Sequence, residues 1–406
     1  MSTTNISSIA TAGIVRGAVD DVVDGPAHDG LFPADSLLEL LSFLPHQEAQ
    51  RILGTPLSKV YLSSFALQEN IWKARCVRLW KVPAFSSCPG WRTLHVDLVH
   101  CLTLVDGTAE TFRGDHDNVM AIVDVLDAYR TLSEMARACF GRLGQLLDSD
   151  EAREATKFVD WRIMDHALWT LKTYPDDVDM QLKIMRFLVL AGRPVGRTEG
   201  MVLPRPPACD GALRAFGPSG EGVETVLASM ERHQSNAKVQ AMACWSMVNL
   251  ALIADQKRSI LCQGGISAIV RAMACHPEDR EVHFRAMFAL INLVTPDVTA
   301  EKIIQPETMK AVAAIVVSAI QVFSNITAIV NRGCLVLHNI ALDPGHFNAL
   351  LSIGAPEELV HAIGKHPSDA LLCQCATGTL RRLNMGGALD DRVNILGAGF
   401  GVAQVV

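Results

Sequence analysis

Three asparagines, Asn249, Asn292 and Asn339, stand at intervals of 43 and 47 residues, each near the end of the same apolar pattern. A primary amide carries both donors and an acceptor, so it can hold the N–H and C=O of another chain at once. A single helical Asn ordinarily caps a helix or meets solvent. Three at equivalent positions of a stack would form a ladder, and the chemistry a ladder offers is binding. Trp245 and Phe288 lie one helical turn before the first two, and Arg382 stands where a fourth copy would carry its Asn. Trp245, Asn249, Phe288, Asn292, Asn339 and Arg382 are therefore the candidate partner-contacting residues.

Catalysis and metal binding find no comparable arrangement. No His-Glu-x-x-His motif or paired Cys-x-x-Cys site occurs, and Cys373 and Cys375 sit inside a helical pattern without spaced partners. The run Gly397-Ala-Gly-Phe-Gly401 has a phosphate-loop look, but it holds no Lys and reads as a flexible tail. His276-Pro277 and His366-Pro367 read as turns, while His283 and His338 lie on long helices where packing or a groove-lining role is expected. No nucleophile–base pair can be proposed from spacing. The chain is expected not to be an enzyme, with no catalytic residue, metal or cofactor.

The asparagines are positioned by a repeated code. Segments 239–250, 282–293, 329–340 and 372–383 share one form. Each opens on an aliphatic residue: Val239, Val282, Ile329, Leu372. Four residues on, it is small: Ala243, Ala286, Gly333, Ala376. Four more bring Met247, Leu290, Leu337, Leu380, and three beyond stand Leu250, Leu293, Ile340, Leu383. Those steps trace one face of a helix, and the small position lets a neighbouring helix approach. A second correspondence joins Gly264–Pro277 to Gly354–Pro367, where Gly breaks the chain, an apolar helix follows and His-Pro ends it. Each unit is expected to be a short helix, a middle helix opening near Gly, and a long third helix. One unit cannot bury its own apolar face, so the copies must stack.

Two fainter copies precede these, on Leu132, Ala136, Phe140, Leu143 and on Met180, Ile184, Leu188, Ala191, which makes six repeats. Between the second and third copies, residues 192–222 are rich in Pro and Gly and read as an insertion loop. The whole pattern, over roughly Asn118–Asn384, resembles the armadillo family, whose marks here are the recurrent Asn and the Gly-Gly-Ile opening at 264–266. The resemblance implies an all-α, right-handed α-solenoid. Its third helices would line a groove, and their Asn side chains would hold the main chain of an extended partner peptide. Trp245 with Asn249 is similar to the Trp–Asn pairs of importin-α, but the counterparts Phe288, Leu335 and Gly378 do not continue that array.

Upstream, Leu31–Pro45 gives a Leu-rich helix capped by Asp35 or Ser36 and stopped by Pro45. Short segments follow at His46–Leu53, Leu57–Tyr61 and Ile71–Trp80. Phe32-Pro33, Leu37-Leu38, Leu44-Pro45, Leu57-Ser58-Lys59 and Ile71-Trp72 occur in the order of an F-box, which this segment resembles. Tyr61, near the place of the usual Trp, and the Gly54-Thr-Pro56 turn depart from the pattern. The resemblance implies docking on Skp1 within a cullin–RING (SCF-type) ubiquitin ligase through Pro33, Leu37, Leu38, Leu41, Leu44, Pro45, Leu57 and Ser58. The other reading of 31–82 is a helical cap on the solenoid.

Composition narrows the setting. The net charge is −7 with no Lys/Arg-rich block, so neither nucleic acid nor a membrane surface is expected as a partner. The eleven cysteines are scattered through apolar patterns, such as Cys244 between Ala243 and Trp245, which fits reduced thiols in the cytoplasm or nucleus. Met1–Ala18 has no signal-peptide pattern. No apolar run reaches the ~18–20 residues of a membrane span, and Ala311–Phe323 is expected as a buried helix. The expected layout is a disordered 1–30, an F-box-like 31–82, linker helices over 83–117, repeats over 118–384 and a tail over 385–406. The expected function is a protein-binding adaptor, the substrate-recognition subunit of an SCF ligase. The alternative is an armadillo scaffold or transport adaptor without a ligase role.

Overall fold

The computed structural model describes residues 65–83, 90–106, 116–148, 162–192, 214, 216, 220–296 and 303–384. Every regular element among them is helical. The chain divides into two compact units, Met1–Gly107 with Thr131–Ala136, and Thr108–Arg130 with Arg137–Val406.

In the first unit, α1 (Phe65–Trp80) packs on α2 (Trp91–Asp106). Ile71, Trp72, Cys76 and Trp80 recur at helical spacing and are buried. Trp80 donates its indole N–H to His95 Nδ1 at 3.3 Å, the Trp72 ring lies 5.1 Å from that imidazole, and the guanidinium of Arg75 is buried beside it. Glu69 accepts the N–H of Trp91 at 2.7 Å, satisfying an orphan donor at the start of α2. The Ile71-Trp72 mark of the F-box-like pattern is thus internal packing of this helix pair.

The second unit is built from α3 (His116–Tyr129), α4 (Ser133–Leu146, which crosses the boundary), α5 (Arg162–Thr173), α6 (Val178–Ala191), α7 (Glu221–Arg232), α8 (Ala237–Leu250), α9 (Ala254–Cys262), α10 (Gly265–Cys275), α11 (Arg280–Val294), α12 (Pro306–Val322), α13 (Thr327–Ile340), α14 (Phe347–Ser352), α15 (Ala355–Lys365) and α16 (Ala370–Asn384). Helices of like kind stack in two layers. One runs α3, α5, α7, α10, α12, α15, and the other α6, α8, α11, α13, α16, each packing on the next. Phe140 of α4 meets Phe187 of α6 with ring centroids 5.7 Å apart. This is an all-α solenoid of stacked helical repeats.

The periodic code maps onto the interface between layers. Val239, Ala243, Met247 and Leu250, and all their counterparts in the next three copies, are buried. At Gly333 there is no room even for a methyl group: a Cβ there would come within 2.6 Å of Ile320 on α12. In the faint copies Leu132, Ala136, Phe140, Leu143, Met180, Ile184 and Leu188 are buried, while Ala191 is half-exposed.

Three expectations change. A short first helix appears in two copies only among the described residues, as α9 and as α14 with a 3-10 turn at Pro344–His346. The stretch Ala311–Phe323 is one-sided rather than wholly buried: Val312, Ala313, Val316, Val317 and Ile320 face inward and Val322 is 54% exposed. The end of the 192–222 insertion belongs to the solenoid, because Gly220 is the left-handed N-cap of α7 (φ +83). It stands as Gly264 (φ +77) and Gly354 (φ +73) do before α10 and α15. Phe216 is fully buried under that turn, and a Cβ on Gly222 would strike its carbonyl oxygen at 2.3 Å.

Candidate partner-binding face

The last carbonyls of a helix have no partner within it. Val189, Val248 and Ile291 lie in the last turns of α6, α8 and α11. Asn249 Nδ2 donates to Val189 O at 2.9 Å, Asn292 Nδ2 to Val248 O at 3.0 Å, and Asn339 Nδ2 to Ile291 O at 3.1 Å and Thr295 Oγ1 at 3.0 Å. Each acceptor directly precedes the preceding copy's equivalent of that Asn. The asparagines are therefore rungs between repeats, each closing an orphan carbonyl of the third helix before it. Asn249 and Asn339 are only 7% and 8% exposed, and Asn292 is half-exposed. The amide donors that the sequence assigns to a partner's main chain are bonded inside the solenoid.

Two further ladders fix the turns. His233 Nε2 bonds to Pro175 O, His276 Nε2 to Gln234 O and His366 Nε2 to Ser324 O, each at 2.7 Å. Within repeats, a polar residue near the start of the third helix reaches back to the end of the second. Gln181 Nε2 donates to Leu171 O and Tyr174 O, and Gln240 Nε2 to Met230 O and His233 O, over 2.8–3.0 Å. The same place is held by His283, facing the carbonyls of Met273 and His276 with no bond of full geometry, and by Cys373, whose thiol reaches His366 O at 3.6 Å. Four residues before each stands its helix N-cap: Asp177, Asn236, Asp279 and Asp369 accept from Met180, Val239, Val282 and Leu372. The α12–α13 repeat replaces all three devices with apolar residues, Phe323, Ile326 and Val330, and the Phe323 ring packs at a tilt against His283 with centroids 4.9 Å apart.

With these bonds turned inward, the outer side of the third helices presents other groups. Trp245 and Phe288 are half-exposed and joined through a line of guanidinium and aromatic contacts. Arg285 Cζ sits 3.4 Å from the Trp245 ring centroid, Arg332 Cζ 3.9 Å from that of Phe284, and Arg332 5.1 Å from that of Phe288. Glu281 pairs with Arg285 one turn away at 3.3 Å. Burial lowers the Arg285 pKa from its ordinary value, and Glu281 opposes that shift. Arg382 is exposed on α16; burial, reinforced by the charge of Arg382, lowers the pKa of His338. Arg285, Phe284 and Arg332 had no place among the sequence candidates. The signal was present, because Arg285 and Arg332 occupy the same register in successive copies.

Pro33, Leu37, Leu38, Leu41, Leu44, Pro45, Leu57 and Ser58 lie outside the described residues. Among the described residues no cluster of His, Cys, Asp and Glu could hold a metal, and no helix is long and apolar enough to cross a membrane. The described cysteines are all free thiols, and burial raises that of Cys244 to about 12.

No known protein family's profile matches the chain, and no curated protein matches it. Among solved structures, it is similar to a chain from a study of a conserved phosphorylation switch that controls the interaction between cadherin and beta-catenin. That similarity has 15% identity and a TM-score of 0.36 over 97% of this chain and 80% of that one. The assignment as a repeat solenoid rests on the stacking and the ladders described above.

Proposed function

We propose that the chain is a non-catalytic adaptor whose third-helix face holds a partner protein. The observation that carries this is the Trp245–Arg285–Phe284–Arg332–Phe288 line, a half-exposed aromatic and arginine surface of the composition that protein interfaces favour. It lies on helices pinned to one another by amide rungs, so the surface is held in place before a partner arrives. Replacing Trp245 and Phe288 by Ala should abolish partner capture while the melting temperature stays near wild type. Retained binding by that variant would remove the face from consideration.

Within that reading, residues 31–82 dock on Skp1 and the chain is the substrate-recognition subunit of an SCF-type ubiquitin ligase. The support is the ordered Leu/Pro pattern from Pro33 to Ser58. Purified Skp1 should be retained by the full chain and lost on Leu41→Asp; equal retention by both chains would leave the ligase role without a basis. One observation favours the scaffold alternative: Ile71 and Trp72, the last mark of the pattern, are spent on packing α1 against α2.

A further inference from the structure

Thr295 is a place where the repeat code breaks. Three residues past the recurrent Asn, the neighbouring copies carry Leu252 and Leu342, and this copy carries a threonine followed by Pro296. A proline disfavours helical backbone in the residue before it. α11 accordingly ends at Val294, and Thr295 takes an extended conformation at φ −59 and ψ 121. The residue is exposed. An exposed hydroxyl on an extended residue, with proline next, is the form in which proline-directed protein kinases take a substrate. The sequence holds one other Thr-Pro pair, at Thr55, and no Ser-Pro pair.

The surroundings of that hydroxyl suit an anion. Oγ1 donates to Ile291 O at 2.6 Å and accepts from Asn339 Nδ2 at 3.0 Å. Lys257 of α9, only 8% exposed, donates from its ammonium to Thr295 O at 3.2 Å, so a positive charge is fixed beside this residue. Capping the end of α11 accounts for Lys257 by itself. It does not account for a hydroxyl set at the same helix end within reach of an amide donor from α13. The joint is also one where a polar bridge adds most, because the α12–α13 repeat has Phe323, Ile326 and Val330 in place of the polar turn ladders.

We propose that Thr295 is a phosphorylation site for a proline-directed kinase, and that Lys257 and Asn339 hold the phosphate as a bridge between α9, α11 and α13. The kinase transfers the γ-phosphoryl group of ATP. The Oγ1–P bond forms, the bond from that phosphorus to the ADP oxygen breaks, and the hydroxyl proton passes to the kinase's base. The modified oxygen no longer donates to Ile291 O, but Asn339 still covers that carbonyl. A dianion at a helix C-terminus meets the negative end of the macrodipole. Lys257 opposes that repulsion at the same point, and charge-assisted hydrogen bonds are stronger than the neutral one lost. The modification therefore tightens the joint.

The test treats the full chain with a purified proline-directed kinase of the mitogen-activated class and Mg-ATP, and locates the phosphate by peptide mass mapping. Thr295 should be labelled in wild type and in Thr55→Ala, and its peptide should carry no label in Thr295→Ala. Absence of label at Thr295 on the folded chain overturns the proposal. Amide exchange then compares each chain with its own phosphorylated form. Amides in the last turns of α11 and α13 should exchange about tenfold more slowly after phosphorylation of wild type. Lys257→Arg keeps the cation and should retain the slowing, whereas Lys257→Met should lose it. Unchanged or faster exchange in phosphorylated wild type overturns the proposal, as does equal slowing in Lys257→Met. If Lys257→Met does not fold, the wild-type and Lys257→Arg comparisons decide alone.

Discussion

At the scale of single residues, the asparagines show how one side chain supports two readings that stability separates. Asn249 donates to Val189 O, a buried helix-end carbonyl. Asn249→Ala should cost about 1–3 kcal/mol in urea unfolding, the penalty of leaving that acceptor unmade. Asn339→Ala should cost less, because the Thr295 hydroxyl also donates to Ile291 O at 2.6 Å. A residue kept only to grip a partner would leave unfolding unchanged. His283 gives a second case. Burial holds its imidazole below the ordinary 6.5, with the Met273 and His276 carbonyls and Asp279 pulling partly back and His276 adding to the depression. The neutral ring is favoured in the fold, so its contribution is complete above 6.5 and is lost as pH falls from there toward the depressed value. Gln fills the equivalent place at Gln181 and Gln240. His283→Gln should therefore flatten the loss of stability between about pH 7 and pH 5 relative to wild type. His338, also depressed, remains in both proteins, so equal slopes would clear His283 of the effect.

At the scale of elements, what was legible is what a helix face dictates. The aliphatic, small and Leu positions of the third helices are buried because spacings of three and four return to one face. The turn before α10 was legible too, since Gly264 takes the left-handed conformation that its Gly-Gly run announces. The equivalent turn at Gly220 was hidden inside a Pro-rich stretch that reads as a loop. The ladders were not legible, because donor and acceptor come from different helices and the donor changes from Gln to His to Cys. Their trace was the Asx residue four places earlier, at Asp177, Asn236, Asp279 and Asp369. The two adjoining glycines separate conformation from contact. At Gly264 nothing lies within 4 Å of an added Cβ, so Gly264→Ala should cost only the left-handed strain of about 1–2 kcal/mol. Gly264→Asn should recover much of it. At Gly265 a Cβ would meet Ile260 Cγ2 at 2.3 Å and its carbonyl oxygen at 2.9 Å. Gly265→Ala should therefore lower the melting temperature more than Gly264→Ala, and the reverse order would mean that α9 yields to the methyl group.

At the scale of the solenoid, rungs that join only neighbouring repeats make stability a sum of adjacent interfaces rather than one shared core. Leu290 and Leu380 are equivalent and equally buried, yet they sit differently in the stack. α11 packs on α8 and α13, whereas α16 has only α13 beside it in its layer among the described helices. Truncating either Leu to Ala removes similar apolar contact, with an expected cost of about 2–5 kcal/mol. The consequences should spread unequally. Leu290→Ala weakens two interfaces at once, so amide exchange should accelerate together across α8, α11 and α13. Leu380→Ala weakens one, so α15 and α16 should open alone while α8 keeps its protection. Exchange measured helix by helix decides this. Loss of protection throughout the stack on Leu380→Ala would show a single cooperative core. Local opening would show that α16 can detach while Trp245 and Arg285 stay in place. A partner lying along the third-helix face would then stabilise α16 most, because among α8, α11, α13 and α16 that helix packs on the fewest others.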